Sequence, residues 1–166
     1  MGKSSGEQKI SLGDLAKIVY YRGNELPNDL QPELIATRHY RVTDFPFVFT
    51  NGAMAAHVEV DTNTGLIKIL HFWAVEDCGR VLNPQLVDDQ IRGGVVQGIG
   101  GALYEECVYD ADGQMQNASM ADYLVPMASE MPEITVAHVE TFTKTSVLGA
   151  KGAGEAGTGG APAAIM

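Results

Sequence analysis

The chain has 166 residues, 45% of them hydrophobic, and a formal net charge of −10 at pH 7, values that suit one globular domain with a core of its own. With 11 Lys and Arg against 21 Asp and Glu and no basic cluster, a polyanionic partner is repelled, which excludes nucleic acid. No apolar run approaches the roughly 18 residues of a membrane span, and the start of the chain lacks the apolar centre of a signal peptide.

Residues 1–10 are polar and read as a flexible lead, with one domain expected over 11–166. Ser11 and Asp14 have capping-box spacing, and Leu15, Ile18 and Val19 share one face of a short helix to about Tyr21, which Gly23 ends. Pro27 and Pro32 then mark a loop that wraps a surface as far as Arg38. The aromatic and β-branched run from His39 to Phe49 predicts a strand. After a break at Asn51-Gly52, the alternation from Ala56 to Val60 predicts another. Asp61-Thr62-Asn63-Thr64-Gly65 is turn chemistry, so Leu66 to Val75 returns as the second arm of a hairpin.

Asn83 and Pro84 supply a helix cap and first residue, and Val87, Ile91, Val95, Ile99 and Leu103 recur every fourth position, which predicts a helix of about 20 residues. Its interior holds Gly93, Gly94, Gly98, Gly100 and Gly101, each costing up to about 1 kcal/mol relative to Ala. Together they approach the net stability of a small domain, roughly 5–15 kcal/mol. Either another backbone packs tightly there or a ligand lies against the helix. Tyr104 to Tyr109 and Gln114 to Asn117 flank the Asp110-Ala111-Asp112-Gly113 turn as a second hairpin, and Ile134 to Phe142 predicts a further strand. Strands and hairpins on one long Gly-rich helix, without a βαβ repeat, make the fold class α+β.

From Gly149 to Gly160 the chain reads GAKGAGEAGTGG, with six glycines, one cation, Lys151, and one carboxylate, Glu155. Glycine density of this kind opens a backbone to close approach. Pro162 suits the first turn of a helix, so the loop is expected to end at a helix N-terminus with free amide donors. That terminus and Lys151 are favourable surroundings for the Glu155 carboxylate, and burial an unfavourable one. A helix from Ala161 to Met166 is too short to stand alone, so the chain reads as cut or completed by something else. The bland alternative for the whole stretch is a flexible connector with a solvated Glu.

Gly152-Ala153-Gly154-Glu155-Ala156-Gly157 matches GxGxxG, but no βαβ unit surrounds it and an acid stands where pyrophosphate would lie, which argues against dinucleotide binding. Gln97 offers its amide at the glycine-thinned part of the helix, or is simply solvent-facing. His39, His57, His71 and His138 are dispersed without metal-ligand spacing, so no metal ligands are assigned. Cys78 and Cys107 lack metal or redox spacing and read as buried thiols of a reducing compartment, the cytoplasm.

Three segments in order, from Glu76-Asp77-Cys78-Gly79-Arg80 through Asn83-Pro84, from Gln90 through Gln97-Gly98-Ile99-Gly100, and from Gly149 to Glu155, resemble the molybdopterin-binding large subunit of the xanthine dehydrogenase/aldehyde oxidase family, the molybdenum hydroxylases. The likeness runs from about Arg38 to the last residue and covers only the C-terminal part of such subunits. It implies an oxidoreductase that hydroxylates an electron-poor carbon of a purine, N-heterocycle or aldehyde with water-derived oxygen. Glu155 is then the general base, Gln97 and Gly98 contact the cofactor near the metal, Gly154 adjoins the base, and Lys151 is a weaker candidate for positioning. The cofactor implied is molybdopterin with molybdenum in its cytosine dinucleotide form. 2Fe-2S clusters and FAD are expected in partner subunits or domains, and the rest of the molybdopterin-binding subunit is expected to close the pocket. A chain with half a pocket is expected to be inactive alone. The other reading is an inactive binding or assembly module of the same fold.

Overall fold

The computed structural model describes residues 10–41 and 47–166 and divides into two compact units, Met1–Arg41 and Val42–Met166. In the first, α1 spans Leu12–Tyr21. Ser11 Oγ caps it by accepting the Asp14 N–H at 3.1 Å, and Val19 is its buried residue. A 3-10 turn follows at Gly23–Glu25, and the proline-marked loop returns to the helix where Tyr20 Oη accepts the Leu34 N–H at 3.3 Å.

In the second unit a three-stranded sheet has the order β1-β2-β3, with β1 at Asn51–Val60, β2 at Ile67–Asp77 and β3 at Glu133–His138. β1 and β2 form the expected antiparallel hairpin, with a bulge after His57. Gly65, at φ 75°, and the Asp61 side chain, which accepts the Asn63 N–H at 2.8 Å, close its turn. β3 lies parallel to β2, and α2, Pro84–Leu103, makes the crossover. The sheet therefore contains one βαβ unit but no repeat of it, within an α+β fold.

Two strand expectations fail. Among the described residues between His39 and Phe49 there is no strand, and residues 42–46 lie outside those described. The strand begins instead at the anticipated break, because Gly52 faces Glu76 in register and the Glu76 carboxylate fills the space a Cβ would need. Asn51-Gly52 is a packing feature rather than a turn. The second hairpin shrinks to one antiparallel bridge, Tyr109 with Met115, around a turn with Gly113 at φ 81°.

α2 has the expected bounds, with Asn83 Oδ1 accepting the Leu86 N–H at 3.3 Å. Ile91, Val95 and Ile99 are fully buried and meet Phe72 and Ala74 of β2. Burying each contributes roughly 1.5–3 kcal/mol, of the same order as the glycine penalty. The helix expected from Ala161 to Met166 needs a larger correction. α3 spans Ala156–Ile165, so it starts five residues before Ala161, and Pro162 sits in its interior rather than its first turn. Its small residues decide this. A Cβ on Gly157 would run into the Ile91 carbonyl of α2, and one on Gly94 would come within 3.0 Å of Gly157 Cα. A Cβ on Gly98 would come within 2.6 Å of Ala161 Cβ. Close backbone packing stabilises a segment whose own helix propensity is poor. Gly93 and Gly101 have nothing within 4 Å of a built Cβ and face open space. No helix among the described residues is long and apolar enough to cross a membrane.

Candidate functional site

The segment 149–155 is held at both ends. Gly79 and Gly149 adopt φ 69° and 74°, a region that disfavours side chains, and Gly79 forms an antiparallel bridge with Ala150. The Arg80 N–H reaches the Gly149 carbonyl at 3.1 Å, and the Lys151 N–H reaches the Cys78 carbonyl at 2.7 Å. At the far end, Gln90 Nε2 on α2 donates to the Gly154 carbonyl at 2.7 Å. The loop that the sequence left open to a connector reading is thus tied to the end of β2 and to α2.

Lys151 is not a companion of Glu155. Its ammonium lies 3.0 Å from Asp77 Oδ2, both side chains being nearly buried, and 2.6 Å from Thr141 Oγ1. The Thr141 hydroxyl, the N–H groups of Thr141 and Gly79 and the Lys151 ammonium hold the Asp77 carboxyl well below the usual carboxylate range. Its neighbour Cys78 is buried, as expected, and burial pushes its thiol up. Cys107 departs from expectation in being exposed, and both thiols are free.

Glu155 is the N-cap of α3, yet its side chain makes no capping hydrogen bond. The carboxylate is exposed and has no partner among the described residues. It lines a cavity of about 570 Å³. One wall comes from Val48, Thr50 and β1 through Asn51, Gly52 and Met54. The other is the loop 152–156 with Gly159 and Gly160, and Glu76 of β2 reaches in as well. Most of the lining has no side chain beyond Cβ, so backbone is what a ligand would meet.

Gly154 lies in this lining beside Glu155. Gln97 and Gly98 do not. Gln97 is exposed on α2, where its Oε1 accepts from Thr158 Oγ1 at 3.1 Å. The Thr158 N–H in turn reaches the Glu155 carbonyl at 3.1 Å, so Gln97 is linked to the base through one turn of α3. Gly98 is covered by Ala161. Among the described residues no three His, Cys, Asp or Glu side chains cluster to hold a bare metal ion.

Glu76 escaped the sequence reading. It is 3% exposed, and burial pushes its carboxyl up, opposed by the charge of His138. A pair of acids at a strand end carries no periodic signal. Only the Gly52 opposite, where a larger residue would clash, marks the position.

The protein-family model described as Molybdopterin cofactor-binding domain matches residues 2–132. The chain is 40% identical over 162 residues to the nicotine 6-hydroxylase large subunit of Paenarthrobacter nicotinovorans, covering 98% of this chain and 20% of that one. It is 32% identical over 141 residues to the carbon monoxide dehydrogenase large chain of Hydrogenophaga pseudoflava, covering 85% and 17%. The crystal structure of quinoline 2-oxidoreductase from Pseudomonas putida 86 superposes with a TM-score of 0.73 at 40% identity, over 89% of this chain and 19% of that one. The chain thus spans about a fifth of the length of the curated relatives it matches.

Proposed function

Since the chain belongs to the family of molybdopterin cofactor-binding domains, we propose that it forms one wall of the cofactor pocket in a molybdenum hydroxylase of the xanthine dehydrogenase/aldehyde oxidase type, with Glu155 as general base. The observation that carries the reading is the Glu155 carboxylate, left free by its own helix and lining a cavity walled largely by backbone. The cavity suits the cofactor. Its volume of about 570 Å³ is in the range of small-molecule sites, roughly 300–1,000 Å³. Without a three-residue ligand cluster among the described residues, a metal here would arrive with ligands of its own, as a pterin dithiolene provides.

When bound, the cofactor supplies a Lewis-acidic metal that accepts two electrons. The protein's part is geometric and protonic. Gly152 and Gly154, with nothing within 4 Å of a built Cβ, let the cofactor approach the main chain, and the loop's anchors at Cys78 and Gln90 fix where Glu155 stands. The Glu155 carboxylate takes the proton from the water-derived nucleophile as that oxygen attacks an electron-poor substrate carbon. Gln97, through Thr158, steadies the first turn of α3 that carries the base, and its exposed amide is free to reach a cofactor from the side. Gly98 acts through packing that seats α3.

The substrate belongs to the N-heterocycles, purines or aldehydes, and relatives named for nicotine and quinoline favour an N-heterocycle. The partners are the remainder of the molybdopterin-binding subunit and iron–sulfur and FAD subunits, the pterin being the cytosine dinucleotide form. The isolated chain, with one wall of the pocket, is inactive, and its two free thiols suit the cytoplasm. In the complete assembly, Glu155→Gln should lower turnover by about 10²–10⁴-fold with molybdenum content unchanged by metal analysis. Undiminished turnover would return the chain to a binding or assembly module.

A further inference from the structure

Three segments far apart in the chain meet at one buried carboxylate. Asp77 ends β2, Thr141 lies just beyond β3, and Lys151 stands in the loop that leads to Glu155. Asp77 accepts the N–H groups of Gly79 at 2.9 Å and Thr141 at 3.1 Å, the Thr141 hydroxyl, and the Lys151 ammonium at 3.0 Å. These donors fill the roughly four acceptor positions of a carboxylate. Having given its proton to Asp77, the Thr141 oxygen accepts from Lys151 at 2.6 Å, so each of the three side chains holds the other two.

The side of this cluster away from the loop is firmly seated. The Val139 N–H reaches the Glu76 carbonyl at 3.0 Å, Glu140 Oε1 accepts the Val81 N–H at 2.8 Å, and the Arg80 guanidinium lies 4.6 Å from the centre of the Phe142 ring. The loop side has little else to hold it. In Gly149-Ala150-Lys151-Gly152-Ala153-Gly154 the lysine is the one side chain longer than a methyl group, and it is 7% exposed. Past its own N–H bond to Cys78, Gly152 has nothing within 4 Å of a built Cβ, and the next tie is Gln90 on the Gly154 carbonyl.

A buried ion pair adds little net stability over an apolar pair of the same size, because the cost of desolvation offsets the attraction. What it adds here is direction: an ammonium with two oxygen partners in a nearly closed site has one place to sit. On the reading of Glu155 as base, we propose that Lys151, gripped by Asp77 and Thr141, is a positioning residue that sets where the glycine stretch begins and so where the Glu155 carboxylate stands. Lys151 holds the stretch at its start and Gln90 at its end, with the base on the next residue.

The test uses the complete assembly, both free of cofactor and loaded. In the cofactor-free protein, Lys151→Met and Thr141→Val should each speed amide hydrogen exchange across 149–155 by at least about tenfold, with protection of β2 and α2 little changed. In the loaded enzyme each should lower kcat about 10–10²-fold while KM and molybdenum content hold. Thr141→Ser, which keeps the hydroxyl, should recover most of what Thr141→Val loses. Asp77→Asn combined with Lys151→Met should be more stable than Asp77→Asn alone yet remain as slow.

Turnover that returns together with the melting temperature in that double variant would mean that the cluster only stabilises, and would overturn the positioning role. Native exchange and native kcat in Lys151→Met would overturn it as well. If Lys151→Met does not assemble, Thr141→Val and Thr141→Ser decide by the same readings. Loss of turnover in Glu155→Gln but not in Lys151→Met or Thr141→Val removes the positioning role alone, whereas full turnover in Glu155→Gln removes the base and the role with it.

Discussion

Gly157→Ala tests the contact that places the base. A Cβ on Gly157 would collide with the Ile91 carbonyl and come within 2.9 Å of the Val95 amide nitrogen, both main-chain atoms of a buried helix that cannot swing aside. Overpacking of that kind costs about 1–3 kcal/mol, from which the better helix propensity of Ala recovers about 1 kcal/mol or less. Gly93→Ala and Gly101→Ala are the controls. Both positions are in α2 with nothing within 4 Å of the added Cβ, so each should stabilise by up to about 1 kcal/mol. At about 2–4 °C per kcal/mol for a domain of this size, thermal denaturation should separate the two classes by sign. Glu155 caps the helix that Gly157 seats, so Gly157→Ala in the full assembly should also cost turnover, up to about 10²-fold for a displacement near 1 Å. A Gly157→Ala protein as stable as the two controls would refute the close crossing of α2 and α3 and the account of why a glycine-rich stretch is helical.

Asn83→Ala removes the side chain that accepts the Leu86 N–H and should destabilise by about 1 kcal/mol, read from the denaturant midpoint. Asp77→Asn should destabilise by stranding Lys151, and Asp77→Asn combined with Lys151→Met should recover part of the loss, because the second change removes the buried unpaired charge. Asp77 is held below its ordinary range, so its contribution is present above the unfolded-state value and disappears as pH falls toward the folded-state one. Chemical denaturation from neutral to acid pH should show that loss in the native chain and not in Asp77→Asn. Glu76 has the opposite sign. Its folded-state value is raised, so stability falls as pH rises from the unfolded-state value through the folded-state one, and Glu76→Gln should become increasingly stabilising relative to the native chain across that interval.

Where local chemistry and final structure agree, the sequence was sufficient. Asn83-Pro84 and the fourfold spacing from Val87 to Leu103 specify α2 to its ends, because a cap, a proline and a buried stripe all act within one segment. The turn from Asp61 to Gly65 specifies the first hairpin in the same way, and Ser11 specifies the start of α1. Three separated motifs, in order, were enough to suggest the family and to single out Glu155 and Gly154, both of which line the cavity.

Tertiary structure decided what depends on residues far apart in the chain. Gly157 and Gly160 read as loop because helix propensity is a property of single residues, whereas α3 exists through its contact with Gly94 and Gly98, some sixty positions earlier. Lys151 looked like a neighbour of Glu155 by spacing, but Asp77 and Thr141 compete for it across the fold. Gly52 looked like a turn until β2 brought Glu76 against it. Glu76 and His138 became a pair only when the crossover through α2 laid β3 parallel to β2. Sequence periodicity records which face a residue occupies. It carries no record of which distant residue occupies the same face beside it, and that pairing determines where charge is buried.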